Sequence, residues 1–80
     1  MLEEICKGRL PSEVFRQLIG VDPTLTNIRL SKILRTEFVD IDSLAGQIIW
    51  NWKGPGKMQG MSDESLDAEL SRMLKEAGYL

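Results

Sequence analysis

The stretch Ile41–Trp52, IDSLAGQIIWNW, constrains the chain most. It carries no charge between Asp42 and Lys53, and it holds both tryptophans. Leu44, Ile48, Ile49 and Trp52 recur at i, i+4, i+5 and i+8, a helical spacing that predicts an apolar stripe. A helix without a charged face is normally enclosed by its neighbours. This segment is therefore expected to be the central helix that the others wrap. Trp50 points away from the stripe, so cover on a second side is expected as well.

The other segments supply the wrapping. Met1–Lys7 places Leu2, Ile5 and Cys6 on one helical face, with Gly8 as its end. Two turns at most, this helix depends on packing to persist. Leu10-Pro11-Ser12 predicts a helix start with Ser12 as the cap and Glu13 in the first turn. Val14, Phe15, Leu18 and Ile19 form its stripe, and Gly20 reads as the C′ stop. Asp22-Pro23-Thr24 is a turn. A third helix runs from about Thr26 to Glu37, with Leu30, Ile33, Leu34 and Phe38 on one side. Arg29, Ser31, Lys32, Arg35 and Thr36 take the other side, and Leu25 and Ile28 fall off the stripe.

Either Asp40 or Asp42 can cap the central helix. With Asp40 as the cap, Val39 and Leu44 fill the two positions of a hydrophobic staple. Gly46 costs up to about 1 kcal/mol inside a helix, which points to the close approach of another backbone or to a bend. Lys53–Gly60, with three glycines and a proline, is a loop. The last helix opens at Ser62 as cap, with Asp63 and Glu64 in its first turn and Met61 and Leu66 as a staple. Leu66, Leu70, Met73, Leu74 and Ala77 make its stripe. Gly78 closes it, and Tyr79 or Leu80 can fold back on the last turn. The expected architecture is a small single-domain all-α bundle of four to five short crossed helices.

Composition then removes function classes. Apolar residues at 42% and charged residues at 28% are ordinary globular values. The net charge of −2 gives no global pull toward phosphate. That charge is uneven: residues 28–57 are net basic and residues 58–80 net acidic. Mutual attraction within the fold is the expected use of this asymmetry. The functional alternative is a basic docking surface. A lone Cys6 permits no internal disulfide and fits a reducing compartment, with a packed side chain expected. The first twenty residues lack an apolar signal region, and no uncharged run approaches a membrane span of about 20 residues. A cytoplasmic protein without a membrane partner is expected.

The chain has no histidine, so Ser-His-Asp and Cys-His catalysis and Cys/His zinc sites cannot be built. Asp40-Ile41-Asp42 suggests a calcium loop, but Leu44, Ala45 and Asn51 occupy positions where an oxygen ligand, glycine and glutamate are needed. Gly54–Gly60 has the composition of a phosphate loop without its spacing, and Met58 follows Lys57 where Ser or Thr is required. The acids Asp63, Glu64, Asp67 and Glu69 share the start of one helix. They offer no cleft for a carboxylate pair. No cofactor is implied.

Two readings remain. The first is a non-enzymatic protein–protein interaction module: an accessory subunit, adaptor, inhibitor or homodimer. Its candidate contact residues are Trp50, Trp52, Leu25 and Ile28, with Lys53 and Lys57 as a basic lip, because surplus apolar surface and tryptophan mark contact sites. The alternative is a helix-turn-helix DNA-binding protein. Ser12–Gly20, a turn, then Thr24–Arg35 has the right lengths, and Arg29, Lys32 and Arg35 would meet the nucleic acid. Against it, Arg16 stands where a small residue is usual, Thr26 where an aliphatic is usual, and Pro23 where the second helix should begin.

Overall fold

A computed structural model describes residues 2–55 and 58–80. The chain is an all-α bundle of five helices: α1 (Glu3–Cys6), α2 (Pro11–Val21), α3 (Asn27–Glu37), α4 (Leu44–Asn51) and α5 (Asp63–Glu76). Among the described residues the only β pairing is an isolated parallel bridge between Trp52 and Met61. No described helix is long and apolar enough to cross a membrane.

One core joins all five helices. Leu2 and Ile5, Val14 and Phe15, Leu30 and Leu34, Ala45 and Ile49, Trp52, and Leu66, Leu70, Met73 and Leu74 are all buried in it. The pairing of helices follows the stripes. α2 packs on α5 and α1, while α4 packs on α3 and α5. Tyr79 folds back as expected and meets Phe38 edge-on, with ring centroids 4.8 Å apart.

The helix ends show which punctuation operates. Ser62 caps α5 by accepting from the Ser65 N–H, and Thr26 caps α3 by accepting from the Arg29 N–H. Gly78 adopts φ 91°, so the Tyr79 N–H reaches the Leu74 carbonyl and the Gly78 N–H that of Lys75. That is a Schellman closure. Gly8 closes α1 in the same way, at φ 102°, with Arg9 bonded to Glu4 and Gly8 to Ile5.

Several expectations are corrected. Ser12 is not a cap: α2 begins one residue earlier at Pro11, whose missing N–H suits the first position. Ser12 is instead buried and bonded to Asp67. Gly20 does not stop α2, which continues to Val21. The helix ends at Asp22, before Pro23. The Val39–Leu44 staple does not form, since Val39 is 74% and Leu44 53% exposed. Asp42, not Asp40, takes the Leu44 N–H, so the chain enters α4 along a different path. Cys6 is exposed rather than packed.

The α4 stripe is also shifted. Ala45, Ile49 and Trp52 are its fully buried positions, while Ile48 is half-buried and Leu44 faces out. An eight-residue helix with two main neighbours is covered on the sides facing α3 and α5 and left open elsewhere. Trp50 lies on the open side, 56% exposed.

Candidate interaction face

The chain places its two tryptophans on opposite sides of the end of α4. Trp52 is fully buried. Its ring meets Phe15 at a centroid distance of 5.7 Å, and the Arg16 guanidinium carbon lies 5.5 Å from the Trp52 ring centroid. The Trp52 indole N–H donates to Asp63 Oδ1 at 2.9 Å, and Arg16 donates twice to the same carboxylate. The hydrogen bonds from Arg16, the larger influence, and from Trp52, together with the charges of Arg16 and Lys53, hold the Asp63 carboxyl below its ordinary range. Trp52 is thus a core residue, as its place on the stripe implies, and offers no exposed surface of the kind its reading as a contact residue requires. Nothing in its residue type distinguishes the two roles, because an indole is both a large apolar filler and a common hot spot.

Trp50 has the opposite surroundings. With Ile19, Pro23, Leu25, Thr26, Asn27, Ile28 and Pro55 it lines an open groove of about 340 Å³. The groove lies where α2 ends, α3 begins and α4 ends. Asn27 ties these parts together: its side-chain amide donates to the Trp50 carbonyl at 3.3 Å and to the Trp52 carbonyl at 2.8 Å. Upstream, Asp22 accepts the Thr24 N–H and hydroxyl, which shapes the Pro23 turn. Those bonds, with help from the Arg29 charge, lower the Asp22 carboxyl below its usual value.

Leu25, Ile28 and Trp50, read from sequence as apolar residues off their stripes, are therefore neighbours around one groove. Leu25 forms part of its floor, only 8% exposed, whereas Ile28 is 46% exposed. Ile19, Pro23, Thr26, Asn27 and Pro55 were missed as wall residues. The two prolines read as turn and loop formers, and no sequence period links them. Lys53 is exposed beside the groove's end of α4, and Lys57 lies outside the described residues.

The three cations of α3 do not act together. Arg29 turns back and donates to the Thr24 hydroxyl at 2.9 Å. Lys32 and Arg35 instead border a second cleft of about 400 Å³, with Thr36, Phe38, Val39, Ile41 and Ser43. Among the described residues no carboxylate lies within ion-pair distance of Lys32 or Arg35. The acidic tail takes other cations: Asp63 pairs with Arg16, and Glu69 and Glu76 with Arg72. Among the described residues, the expected neutralisation of the basic middle by the acidic tail is thus confined to the influence of Lys53 on Asp63. The reason is topological, since α5 packs on α2 and α4 while α3 packs chiefly on α4.

No protein-family model matches the chain, and no curated protein or solved structure is significantly similar to it.

Proposed function

We propose that the chain is a non-enzymatic protein–protein interaction module that receives an apolar side chain of its partner in the Trp50 groove. The observation that carries this reading is Trp50 itself, 56% exposed on a wall shared with Ile28, Pro23 and Pro55. An apolar depression rimmed by an exposed indole is the usual setting of an interface hot spot. An accessory subunit, adaptor or inhibitor fits this reading, and so does a homodimer. Sedimentation velocity with acrylamide quenching tests it. Trp50 becomes shielded when partner or second copy binds, and Trp50→Ala abolishes that binding with the fold retained. Binding that survives Trp50→Ala, with wild-type affinity, rejects the reading.

A second reading is DNA binding through the Thr24–Arg35 region, favoured by the cations Lys32 and Arg35, which have no carboxylate partner among the described residues. A helix-turn-helix pair relies on mutual packing of its two helices, whereas α3 here packs chiefly on α4. A salt-sensitive shift of duplex DNA, lost in Lys32→Ala with Arg35→Ala, is the result that would favour it.

A further inference from the structure

We infer that the Trp50 groove and the Lys32–Arg35 cleft are two ends of one docking face, and that its occupant is an acidic, apolar-anchored segment of another protein. The inference rests on the reading of the Trp50 groove given above and adds the chemistry of the partner.

The two depressions share a face of the α3–α4 hairpin. α3 and α4 run antiparallel: the first groove takes the start of α3 and the end of α4, and the cleft takes the reverse ends. Ile28 lines the groove, and Lys32 and Arg35 line the cleft, at i, i+4 and i+7 along α3. Ser43 and Trp50 do the same along α4, seven residues apart. Residues at these spacings project from one side of a helix. Seven residues of helix span about 10 Å, so the apolar end and the basic end are separated by roughly that distance. Between them the two helices approach closely: Gly46 has no side chain, and Ser31 and the Arg35 stem occupy the space over it, where a Cβ would lie 2.7 Å from Ser31 Oγ and 3.3 Å from Arg35 Cδ.

Charge selects the occupant. Lys32 and Arg35 have no carboxylate partner among the described residues, and the cleft they border is walled by Phe38, Val39 and Ile41. Val39 is 74% exposed, and Leu44 is exposed nearby in sequence. Two cations without a carboxylate partner among the described residues, beside the exposed Val39, fit carboxylates carried on an apolar segment. A nucleic acid would leave the aliphatic wall and the Trp50 groove unused, and the net charge of −2 opposes it. A second copy is a poor match through its own acidic helix, because none of the large exposed apolar residues lies on α5.

The occupant thus places a bulky apolar side chain and a carboxylate about 10 Å apart. In a helical segment these are seven residues apart, and in an extended one about three.

A library of random linear peptides, selected on the immobilised full chain, tests this. Peptides enriched on the wild type are expected to carry an aromatic or aliphatic residue and Asp or Glu at one of those spacings. Their affinity is expected to fall about thirtyfold with Trp50→Ala, the size of a hot-spot truncation. It should fall roughly tenfold with Lys32→Glu plus Arg35→Glu, and weaken as salt rises. All three positions are exposed, and circular dichroism checks that each variant is folded. Apolar peptides without acids, bound equally by the charge-reversed variant, overturn the inference and leave the Trp50 reading standing. No enrichment over the Trp50→Ala surface overturns both. Duplex DNA binding lost on charge reversal, without acidic peptides, assigns the cations to nucleic acid. A concentration-dependent dimer broken by these substitutions assigns the face to a second copy. Either result overturns the inference.

Discussion

Ser12 donates both its backbone N–H and its hydroxyl to Asp67, 55 residues further along the chain, at 2.7 and 2.8 Å. Both residues are buried, so this pair fixes the first turn of α2 against α5 with nearly no water present. Asp67→Ala leaves two buried donors unpaired and is expected to cost about 2–3 kcal/mol. Ser12→Ala keeps the backbone donor and costs about 1 kcal/mol. Urea unfolding of the two variants measures the difference, and equal losses would contradict it.

The two tryptophans should report separately. Trp50→Phe leaves only the buried Trp52, so emission shifts to the blue and acrylamide quenches weakly. Trp52→Phe leaves the exposed Trp50, with red-shifted, readily quenched emission. Trp52→Phe also loses the bond to Asp63 and should be destabilised by about 1–2 kcal/mol, whereas Trp50→Phe is close to neutral.

Asp63 carries an acid-sensitive share of the stability. Its folded carboxyl titrates below the unfolded one because Arg16 and Trp52 donate to it. The contribution is therefore fully present above the ordinary carboxylate range and is lost as pH falls through the lowered folded value. The Arg16–Asp63 pair is partly solvated, which keeps the ion-pair share to about 1 kcal/mol or less. Asp63→Asn should be less stable than the wild type near neutral pH, and the gap should close in acid. A gap that is constant with pH would show that charge at Asp63 is irrelevant.

Three glycines should behave differently on conversion to alanine. Gly20 is helical with open space around the Cβ position, so Gly20→Ala should stabilise by about 0.5–1 kcal/mol. Gly60 has φ 140°, and a Cβ would meet the Asn51 carbonyl oxygen at 2.7 Å and the Lys53 backbone at 2.9 Å. Gly60→Ala should cost about 2 kcal/mol or more. Gly46→Ala combines a helix gain with a contact on Ser31. It should be about 1 kcal/mol more favourable in a Ser31→Ala background, a coupling that a double-mutant cycle measures.

Much of the fold was legible because the helical period is strong. Leu30 and Leu34 in α3, and Leu66, Leu70, Met73 and Leu74 in α5, are buried as their spacing implies. Ser62 and Gly78 were legible for a local reason, since each acts on backbone within a few residues. Ser12 was not, because its partner is distant in the chain. A serine before a helical run looks alike whether it caps or is buried. Gly20 misled because a glycine near a helix end needs a positive φ to stop it, and here Pro23 shapes the chain just beyond.

The candidate face was half visible. Leu25, Ile28 and Trp50 stood out by falling off their stripes. The prolines that complete the groove gave no such signal. Trp52 lies on the apolar stripe but also reads as a contact residue, because two tryptophans look like a surplus for so small a core; it is fully buried, against Phe15 and Arg16 and bonded to Asp63.

The chain between α4 and α5 is pinched at its base. Met61 donates to the Asn51 carbonyl at 2.7 Å, and Lys53 donates to the Met61 carbonyl at 2.9 Å. Those two rungs fix how the connector enters and leaves, independently of how much chain is held between them. Lengthening such a segment costs only about 0.6 kcal/mol per doubling. Foreign sequence spliced in after the exposed Met58, such as an epitope or a small fluorescent reporter, would hang from the bundle like a pendant and leave its helices in register.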